Sequence, residues 1–411
     1  MLGAVRPRRY HETASGGADG GDLGTRHPGG ERTIVTEVNP VTDRRGFADF
    51  LRAPHHVHHG DPNWVPPLTL ERRLHFSRRN PYFAHARARY FVAYHNGAPA
   101  GRVSAQIDSL AQRDPEGEPH LGHFGCLEAT DADTLAALLD AAESWLADHG
   151  ITEVQGPFSL NINDEAGLLV AGFDRPPRML MNYAPAWYGP AIEAHGYAPA
   201  KDLLAYTFAT ATPLPDTARR MAEHAANTAG VRERPMDPRA FRAELRTVVD
   251  IFNDAWAENW GFVPMTAAEA GALADNLKPL LRPELIRFVE RDGEPVAMIV
   301  ALPDLYEAIA DLNGRLLPLG WARLAYRLKA SRLAGARVPL MGVRAAHRSG
   351  FMGSAIAALL VQRTHDAARA AGFREVELSW VLDDNHPTRR LIESIGGTAY
   401  KRYRVYRKAL A

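Results

Sequence analysis

The sequence has few cysteines, no long apolar runs and no excess of either charge. These absences narrow the classes of protein it can belong to before any motif is considered. Its 411 residues include one cysteine, Cys126, which excludes a disulfide within the chain and a zinc site built from cysteines. No apolar run approaches the roughly 18 residues that a membrane span needs. Neither charge is in excess, because 48 basic residues face 48 acidic ones, and this balance argues against nucleic acid as a partner. We therefore expect a soluble cytoplasmic protein.

A histidine-rich stretch at residues 55–59 is the place where composition suggests a metal. Its four histidines are flanked by loop-forming residues, and no carboxylate or cysteine stands at a familiar ligand spacing. We expect no metal cofactor there. Residues 64–67, which read WVPP, instead suit a loop pinned by apolar contacts.

The first 32 residues are rich in glycine, aspartate, arginine and histidine, and they carry few large apolar side chains. Such a segment cannot bury enough surface to offset the entropy of ordering, so residues 1–32 are predicted to be a disordered tail. Arg8 and Arg9 are not followed by an apolar stretch, which argues against an export signal. The remaining length suits two or three domains, each large enough for its own core.

Two hairpin signals stand at corresponding places in the two halves of the chain. Asn96-Gly97 and Asp292-Gly293 each lie between two strand-like runs. These dipeptides are the ones that two-residue hairpin turns favour. In both halves a strand, a helix and another strand follow, an order that is typical of a mixed α/β unit.

The similarity between the halves extends to short strings of sequence. Residues 150–154 read GITEV, and residues 372–376 read GFREV. Self-similarity at a regular distance is the signature of repeated units. We interpret the chain as two tandem copies of one α/β unit, at residues 33–212 and 213–411.

Residues 338–360 combine a short apolar strand, a turn of small residues and the start of a helix. The strand is predicted at residues 338–343 and the helix at residues 353–371. The turn between them presents free backbone N–H groups and the positive end of a helix dipole, which suits a phosphate or pyrophosphate. The alternative is an ordinary connection between a strand and a helix.

With these elements in place, the second half resembles the GNAT superfamily of acyl-CoA-dependent N-acyltransferases. Its predicted order is strand, two helices, hairpin, strand, phosphate-binding loop, long helix, strand, short helix and strand. The loop pattern of that family is Arg/Gln-x-x-Gly-x-Gly/Ala. Arg348 takes the first position and Gly353 the last, whereas Phe351 stands at the middle glycine. The chain is also similar to tandem-GNAT bacterial proteins of unknown substrate in three longer strings, DPNWVPP (61–67), WGFVP (260–264) and SWVLDDN (379–385).

The resemblance implies an α/β fold of two tandem GNAT-like units, each with a mixed, mostly antiparallel central sheet flanked by helices. It implies an acyl-CoA, with acetyl-CoA as the first candidate, as co-substrate, and a small-molecule amine as acceptor. The backbone near Met341 and Val343 is expected to bind the pantetheine arm and the thioester oxygen. The remaining cofactor contacts are expected from Arg348, Ser349, Gly350, Met352, Gly353, Ser354 and Asn385.

Acyl transfer to an amine needs a base for the amine and a proton for the leaving thiolate. Glu377 is the candidate base, with a structural salt bridge as its alternative role. Ile392 stands where many members of the superfamily carry a tyrosine acid, so Tyr403 is the candidate replacement, with sheet packing as its alternative. These departures, together with Phe351, keep open a non-catalytic acyl-CoA-binding or interaction module.

The first half has no equivalent phosphate loop, because residues 127–131 include two carboxylates that would repel a pyrophosphate. We therefore assign acyl-CoA to the second half. Asn161, Asn163, Asp164 and Glu165 are predicted to line a polar acceptor site between the units, with ordinary loop chemistry as the alternative. A transferase that uses aminoacyl-tRNA is a third interpretation, against which the zero net charge counts.

Residues 304–337 form an insertion in which leucines and a tryptophan are interspersed with basic residues. Such a basic amphipathic segment is typical of a surface helix packed on the core. The other interpretations are a lid over a long acyl chain, or a dock for an acidic carrier protein or a membrane surface. A second copy of the chain is a further candidate partner.

Overall fold

The computed structural model describes residues 36–112, 120–278, 281–330 and 333–410, with the side chains of residues 276 and 277 left out. The tail predicted at residues 1–32 lies outside the described residues. Within the described part of the chain, none of the helices combines the length and the apolar character that crossing a bilayer requires.

The first half begins with a strand and two helices and continues with a hairpin and an α/β run. Its strands are β1 (Thr36–Pro40), β2 (Ala86–His95), β3 (Ala98–Asp108), β4 (Leu121–Ala129), β5 (Glu153–Gly156), β6 (Leu168–Ala171) and β7 (Ala198–Ala209). Its helices are α1 (Arg44–Val57), α2 (Thr69–His75), α3 (Ala132–Ala147) and α4 (Tyr188–Ala194).

The second half repeats this order with a longer insertion before its fourth strand. Its strands are β8 (Val231–Pro235), β9 (Ile286–Arg291), β10 (Glu294–Pro303), β11 (Gly335–Val343), β12 (Glu375–Leu382) and β13 (Thr398–Ala409). Its helices are α5 (Asp216–Ala226), α6 (Phe241–Trp256), α7 (Ala267–Leu277), α8 (Leu305–Ile309), α9 (Gly320–Lys329), α10 (Gly350–Ala370) and α11 (His386–Ser394).

All thirteen strands of the described residues belong to one sheet, and an exchange of strands joins the halves. The order is β1-β2-β3-β4-β5-β13-β7-β12-β11-β10-β9-β8, with β6 paired to β13. The last strand, β13, pairs with β5 of the first half, and β7 pairs with β12 of the second half. Only β4–β5 and β11–β12 are parallel among the described strands. The predicted pair of mixed, mostly antiparallel units is confirmed, whereas the exchange is not foreseen by the sequence.

Both predicted hairpin turns are confirmed. Asn96 and Asp292 adopt left-handed backbone angles, with φ of 51° and 52°, and Gly97 and Gly293 follow with φ of 80° and 89°. Two consecutive residues with positive φ give the turn type whose twist matches that of the flanking strands.

Polar side chains set the ends of several helices. Thr266 and Glu269 form a reciprocal capping box at the start of α7. Asn385 accepts a hydrogen bond from the backbone N–H of Thr388 at 3.2 Å and so caps α11. Helix α10 begins at Gly350, three residues before the predicted start at residue 353.

The exchange of strands also mixes the apolar cores of the two halves. One buried cluster contains Phe124, Leu135 and Leu139 from the first half together with Leu382 and Val405 from the second. Because β13 lies inside the sheet of the first half, its side chains complete that core. Separate domains would each bury their own apolar surface, whereas these two halves share a core.

The insertion between β10 and β11 carries α8 and α9 and stands at one end of the sheet. The backbone N–H of Asp304 donates to the carbonyl oxygen of Gly335 at 2.9 Å, which closes the base of the insertion. The turn into α10 follows the other end of β11. With nine residues, β11 separates the insertion from this turn by about 27 Å.

Candidate functional site

Strands β11 and β12 run side by side and then part, which opens a cleft in the sheet. Their parallel pairing ends at Val338 and Leu378. Beyond this point β12 pairs with β7 from Val381 onward, whereas β11 continues along β10. The carbonyl oxygen of Met341 accepts a hydrogen bond from the indole Nε1 of Trp256 at 3.3 Å rather than from a strand across the cleft.

Apolar cavities lie on both sides of the sheet at this cleft. The α10-side cavity, between the strands and helices α10 and α11, holds about 870 Å³ of empty space, its open mouth included. The α6-side cavity, beneath α6 and α7, holds about 1060 Å³ by the same measure. Trp256, Pro339 and Trp380 line both cavities, so the cleft is their shared boundary. Typical apolar side chains in their walls are Leu378, Leu391 and Ile392 on the α10 side and Val248, Phe252 and Leu302 on the α6 side.

A polar pocket adjoins the α6-side cavity, and its walls come from both halves. Asn163 and Asp164 line both spaces, while His75 and Glu269 line the polar pocket. The side-chain amide of Asn163 donates to the carbonyl oxygen of Val263 at 2.9 Å and ties the two halves together here. Burial raises the pKa of Asp164 to about 6. The pKa of this carboxyl group is therefore closer to neutral pH than that of an ordinary aspartate.

Three of the four polar residues predicted near an acceptor site line this pocket. Asn161 lines it together with Asn163 and Asp164. Glu165 has a different role, because its carboxylate pairs with Arg72 at 3.0 Å. The predicted juxtaposition of a polar first-half loop with the second half is present, while its use by an acceptor stays a prediction.

The turn into α10 has a tightly packed main chain. A Cβ at Gly353 would stand 2.3 Å from the carbonyl oxygen of Arg348, so a larger residue cannot occupy this position without moving the turn. Ser349 precedes α10 and makes no side-chain cap. The first N–H groups of a helix have no intrahelical partner. They are therefore available at this exposed turn, while the guanidinium of Arg348 pairs with Glu258.

Phe351, which stands where the GNAT pattern has a glycine, turns its ring toward α5. The side chain is 59% exposed, and its ring contacts His224 with centroids 5.1 Å apart. The ring therefore does not pack into the core. The ring of Phe351 does not line the α10-side cavity, whose wall includes Met341, and so it does not block the cleft from that side.

Glu377, the candidate base, belongs to a buried network. It is 1% exposed and lies 3.4 Å from Arg337, measured from Oε1 to Nε. Ser379 Oγ donates to Oε1 at 2.5 Å, and the hydroxyl of Tyr400 donates to Oε2. Ser379 lines the α10-side cavity and Arg337 the α6-side cavity. The network thus reaches both cavities, although the carboxylate of Glu377 itself is covered.

Tyr403, the candidate acid, is fully buried beside this network. Its hydroxyl has no hydrogen-bond partner among the described residues. Burial and the negative charge of Glu377 raise the pKa of Tyr403 well above its ordinary value. The fold therefore brings the two residues predicted as catalytic into one electrostatic cluster. Their roles in a reaction stay predictions.

The corresponding strands of the first half leave no such cleft. Pairing of β4 with β5 ends at His123, and the backbone N–H of Phe158 then donates to the carbonyl oxygen of Phe124 at 2.8 Å. A Cβ at Gly125 would lie 1.6 Å from the carbonyl oxygen of Phe158. The chain itself therefore fills the space between these strands, and glycine permits the close approach.

The sequence analysis did not identify three residues that line both cavities, namely Trp256, Pro339 and Trp380. Trp256 carried a signal, since it ends the apolar face of α6, but that pattern predicts core packing just as well. Trp380 lies in the string SWVLDDN, which marks the resemblance without giving a role. Only the parting of β11 and β12 shows that these side chains meet at one opening.

Two tandem units joined in one sheet, each with the GNAT order of elements, define the class of fold. A tandem GNAT protein from the clavulanic acid biosynthesis pathway has a TM-score of 0.53 and 13% identity, covering 92% of this chain and 99% of that one. A GCN5-related N-acetyltransferase from Sphaerobacter thermophilus has a TM-score of 0.50 and 15% identity, covering 91% and 96%. At these identities the likeness shows the fold alone. No protein-family model matches the sequence.

Named relatives are much closer in sequence. "Bacterial ceramide synthase" of Caulobacter vibrioides is 42% identical over 375 residues, which cover 91% of this chain and 97% of the relative. "Protein YghO" of Escherichia coli (strain K12) is 41% identical over 382 residues, covering 91% and 95%. The protein belongs to the family of these two relatives.

Proposed function

We propose that this protein transfers an acyl group from an acyl-CoA thioester to the nitrogen of an amine. The observation that carries the proposal is the cleft between β11 and β12, which opens between two apolar cavities. A thioester held there has the α10-side cavity for its pantetheine arm, and the α6-side cavity is open to an alkyl chain. In the reaction the amine nitrogen forms a bond to the carbonyl carbon, the carbon–sulfur bond breaks, and the thiolate takes a proton to give free CoA.

The donor lies on the α10 side of the sheet in this proposal. The pantetheine arm runs along the free edge of β11 near Met341 and Val343, and the pyrophosphate meets the first turn of α10 at residues 348–354. Support comes from the tight main chain at Gly353 and from the ring of Phe351, which points toward His224. Helix N-termini of this kind bind phosphate groups through their free N–H groups.

The acceptor is proposed to be a long-chain amino alcohol, and the acyl chain to be long as well. A ceramide is an amide between a fatty acid and such an amine, so the name of the Caulobacter relative supports this choice. The apolar walls of the α6-side cavity suit an alkyl chain, while the polar pocket beside it suits hydroxyl groups. This proposal departs from the acetyl donor that the GNAT resemblance suggested.

Asp164 is proposed as the group that removes a proton from the amine. It lines both the α6-side cavity and the polar pocket, and its pKa of about 6 suits a base that works near neutral pH. Glu377 remains the base predicted from the sequence. It would act through Ser379, which receives a hydrogen bond from Arg337 at 2.9 Å and donates one to Glu377.

The test is a transfer assay with the full chain, acyl-CoAs from acetyl to palmitoyl, and a long-chain amino alcohol. Free thiol reports CoA release, and mass spectrometry reports the amide. We expect the rate at low donor concentration to rise with acyl length, since each buried methylene contributes about 0.8 kcal/mol. Gly353→Glu, which places a carboxylate and added bulk at the turn, is expected to abolish donor binding measured by calorimetry.

The outcomes separate the parts of the proposal. A preference for acetyl-CoA would refute the long acyl chain but keep the transfer. Binding of acyl-CoA without CoA release across a panel of amines would favour the non-catalytic binding module. No binding of any acyl-CoA would refute the assignment of the donor site.

A further inference from the structure

Five large apolar side chains on two neighbouring segments stand free of the core. They are Leu70 and Leu74 on α2, Leu317 and Leu319 just before α9, and Trp321 in its first turn, and their exposed fractions run from 47% to 78%. Isolated exposed leucines are common, but a group of this size marks an interaction surface. We call these five residues the docking face.

The two segments of the docking face are held against each other. The backbone N–H of Thr69 donates to the carbonyl oxygen of Gly314 at 3.0 Å. A Cβ at Gly314 would stand 2.7 Å from the carbonyl oxygen of Pro67, and its φ of 71° also favours glycine. Leu68 and Leu316, within two residues of the docking face in sequence, are partly buried and pack on the core. The exposed side chains therefore protrude from anchored backbone.

The charges around the docking face are positive. Arg73, Arg315 and Lys329 are exposed, and within the described residues no ion pair engages them. Two nearby acidic residues already have cationic partners: Glu71 pairs at 2.6 Å with Arg72, which Glu165 also contacts, and Asp311 pairs with Arg327 at 2.5 Å. Arg78 and Arg79, also exposed, follow α2 and add to the positive charge.

We propose that the docking face inserts into the surface of a bilayer that contains anionic phospholipids. Leucine and tryptophan side chains grouped on anchored backbone suit the acyl region of a lipid layer, and unpaired basic residues around them suit its anionic headgroups. An acidic carrier protein would match the charge, but it would leave Leu317 and Leu319, which are 78% and 65% exposed, without a matching groove.

The position of the docking face relative to the polar pocket gives this contact a purpose, which rests on the proposed function. Leu74 belongs to the docking face and also lines the polar pocket. His75 and Arg79, which follow it in sequence, line the same pocket. A long-chain amine held in a bilayer would therefore enter beside the membrane surface without crossing water. The turn into α10 lies at the opposite end of β11, so the CoA moiety stays on the aqueous side.

The test is co-sedimentation of the full chain with vesicles of phosphatidylcholine that contain roughly a quarter phosphatidylglycerol. We expect binding that is lost in pure phosphatidylcholine and weakened by high salt. The double variant Leu317→Glu/Leu319→Glu is expected to bind at least about tenfold more weakly. The single variant Leu317→Glu should also bind more weakly. Its matched control is Phe351→Glu, which adds the same single charge at an exposed apolar residue near the other end of β11 and should bind like the wild type.

The proposal is wrong if the wild type stays in the supernatant with anionic vesicles, or if the double variant sediments as well as the wild type. Circular dichroism before sedimentation shows that each variant is folded. Binding to an acidic carrier protein in place of vesicles would equally overturn it.

A second readout separates docking from the proposed reaction. Transfer is measured with the long-chain amine either embedded in vesicles or dispersed in detergent. The double variant should lose about tenfold in rate with vesicles and keep its rate in detergent. Vesicle binding by the wild type without transfer in either form would sustain docking and refute the reaction. Transfer in detergent without vesicle binding would do the reverse.

Discussion

The rings of Trp256 and Trp380 meet at the boundary between the α10-side and α6-side cavities, with centroids 5.4 Å apart and planes inclined by 63°. Trp256 ends α6, and Trp380 lies on β12 just beyond the point where β11 departs. The two indoles therefore stand where a thioester would meet an amine in the proposed reaction. Their contact is made by aromatic edges and faces, an arrangement that contributes about 1 kcal/mol beyond apolar burial.

The first prediction concerns the hydrogen bond from Trp256 to the carbonyl oxygen of Met341. Trp256→Phe keeps an aromatic ring beside Phe252 and Trp380 but removes the donor. If the pantetheine arm hydrogen-bonds to the same carbonyl, acyl-CoA must displace the indole in the wild type but not in the variant. The variant should therefore bind acyl-CoA more tightly, with a Kd about fivefold lower, equivalent to about 1 kcal/mol. Calorimetry measures this, with Trp321→Phe as the control. Weaker binding would show that the indole itself holds the donor.

A second prediction separates catalysis from packing in the buried network. Tyr403→Phe removes a hydroxyl that has no partner among the described residues, so the free energy of unfolding should change by less than about 1 kcal/mol. If Tyr403 protonates the leaving thiolate, kcat should nevertheless fall by about a hundredfold or more. Urea unfolding and steady-state kinetics give the two numbers. An unchanged kcat would leave sheet packing as the role of Tyr403.

Glu377→Gln provides the contrast in the same network. Burial lowers the pKa of Arg337 and the negative charge of Glu377 opposes that shift, so the carboxylate stabilises the buried guanidinium. Removing the charge should cost about 3 kcal/mol of folding free energy, because a buried cation loses its ion-pair partner. Loss of activity in this variant therefore needs the unfolding measurement before any catalytic role is assigned.

Local sequence signals were sufficient for most elements of the fold. Asn96-Gly97 and Asp292-Gly293 fixed the hairpins because those dipeptides reach positive φ at little cost. The side chain of Asn385 satisfies a free N–H at the start of α11, which is a local interaction of the same kind. These features depend on neighbours within a few residues, which a sequence displays directly.

The strand exchange and the cleft depend on distant pairings, which periodicity does not reveal. The alternation of β13 predicts a strand but not that it lies between β5 and β7. Glu377 likewise has the expected position on β12, yet its burial comes from Tyr400 and Arg337, which lie 23 and 40 residues away in sequence. The residue type was readable, whereas its accessibility was set by tertiary packing.

The third prediction is a pH dependence that belongs to Asp164. Burial raises its pKa to about 6, and a base must be unprotonated to accept a proton. The value of kcat/KM should therefore fall as pH drops through about 6 and reach a plateau above it. Asp164→Asn should lower kcat by about a hundredfold or more and remove this limb, while Asp148→Asn on the exposed end of α3 should keep both.

A profile measured from about pH 5 to pH 8 checks this assignment. Calorimetry should show the same acyl-CoA affinity in Asp164→Asn and the wild type, because Asp164 faces the acceptor side. A limb near pH 6 that persists in Asp164→Asn would assign that ionisation to another group, and Glu377 would then be the first to examine.

The last prediction tests whether the first half contributes only structure around its closed cleft. In Gly125→Ala the new Cβ meets the carbonyl oxygen of Phe158, a backbone atom that cannot move aside alone. The hydrogen bond from Phe158 to Phe124 should be disturbed, and the free energy of unfolding should fall by about 3 kcal/mol. Gly271→Ala is the matched control, since no atom lies within 4 Å of its added Cβ. Within α7 this change should be neutral or stabilising by up to about 1 kcal/mol.

Donor binding in the folded fraction distinguishes structure from function here. Because the first-half strands are filled by residues 157–160, Gly125→Ala should leave the Kd for acyl-CoA unchanged at a temperature where the variant is folded. The closed first-half strands would then have a structural role. They pair with β13, β13 pairs with β7, and β7 pairs with β12, which borders the open cleft. An altered Kd in a folded Gly125→Ala protein would mean that the first half takes part in binding the donor, and the assignment of one acyl-CoA site to the second half would have to be given up.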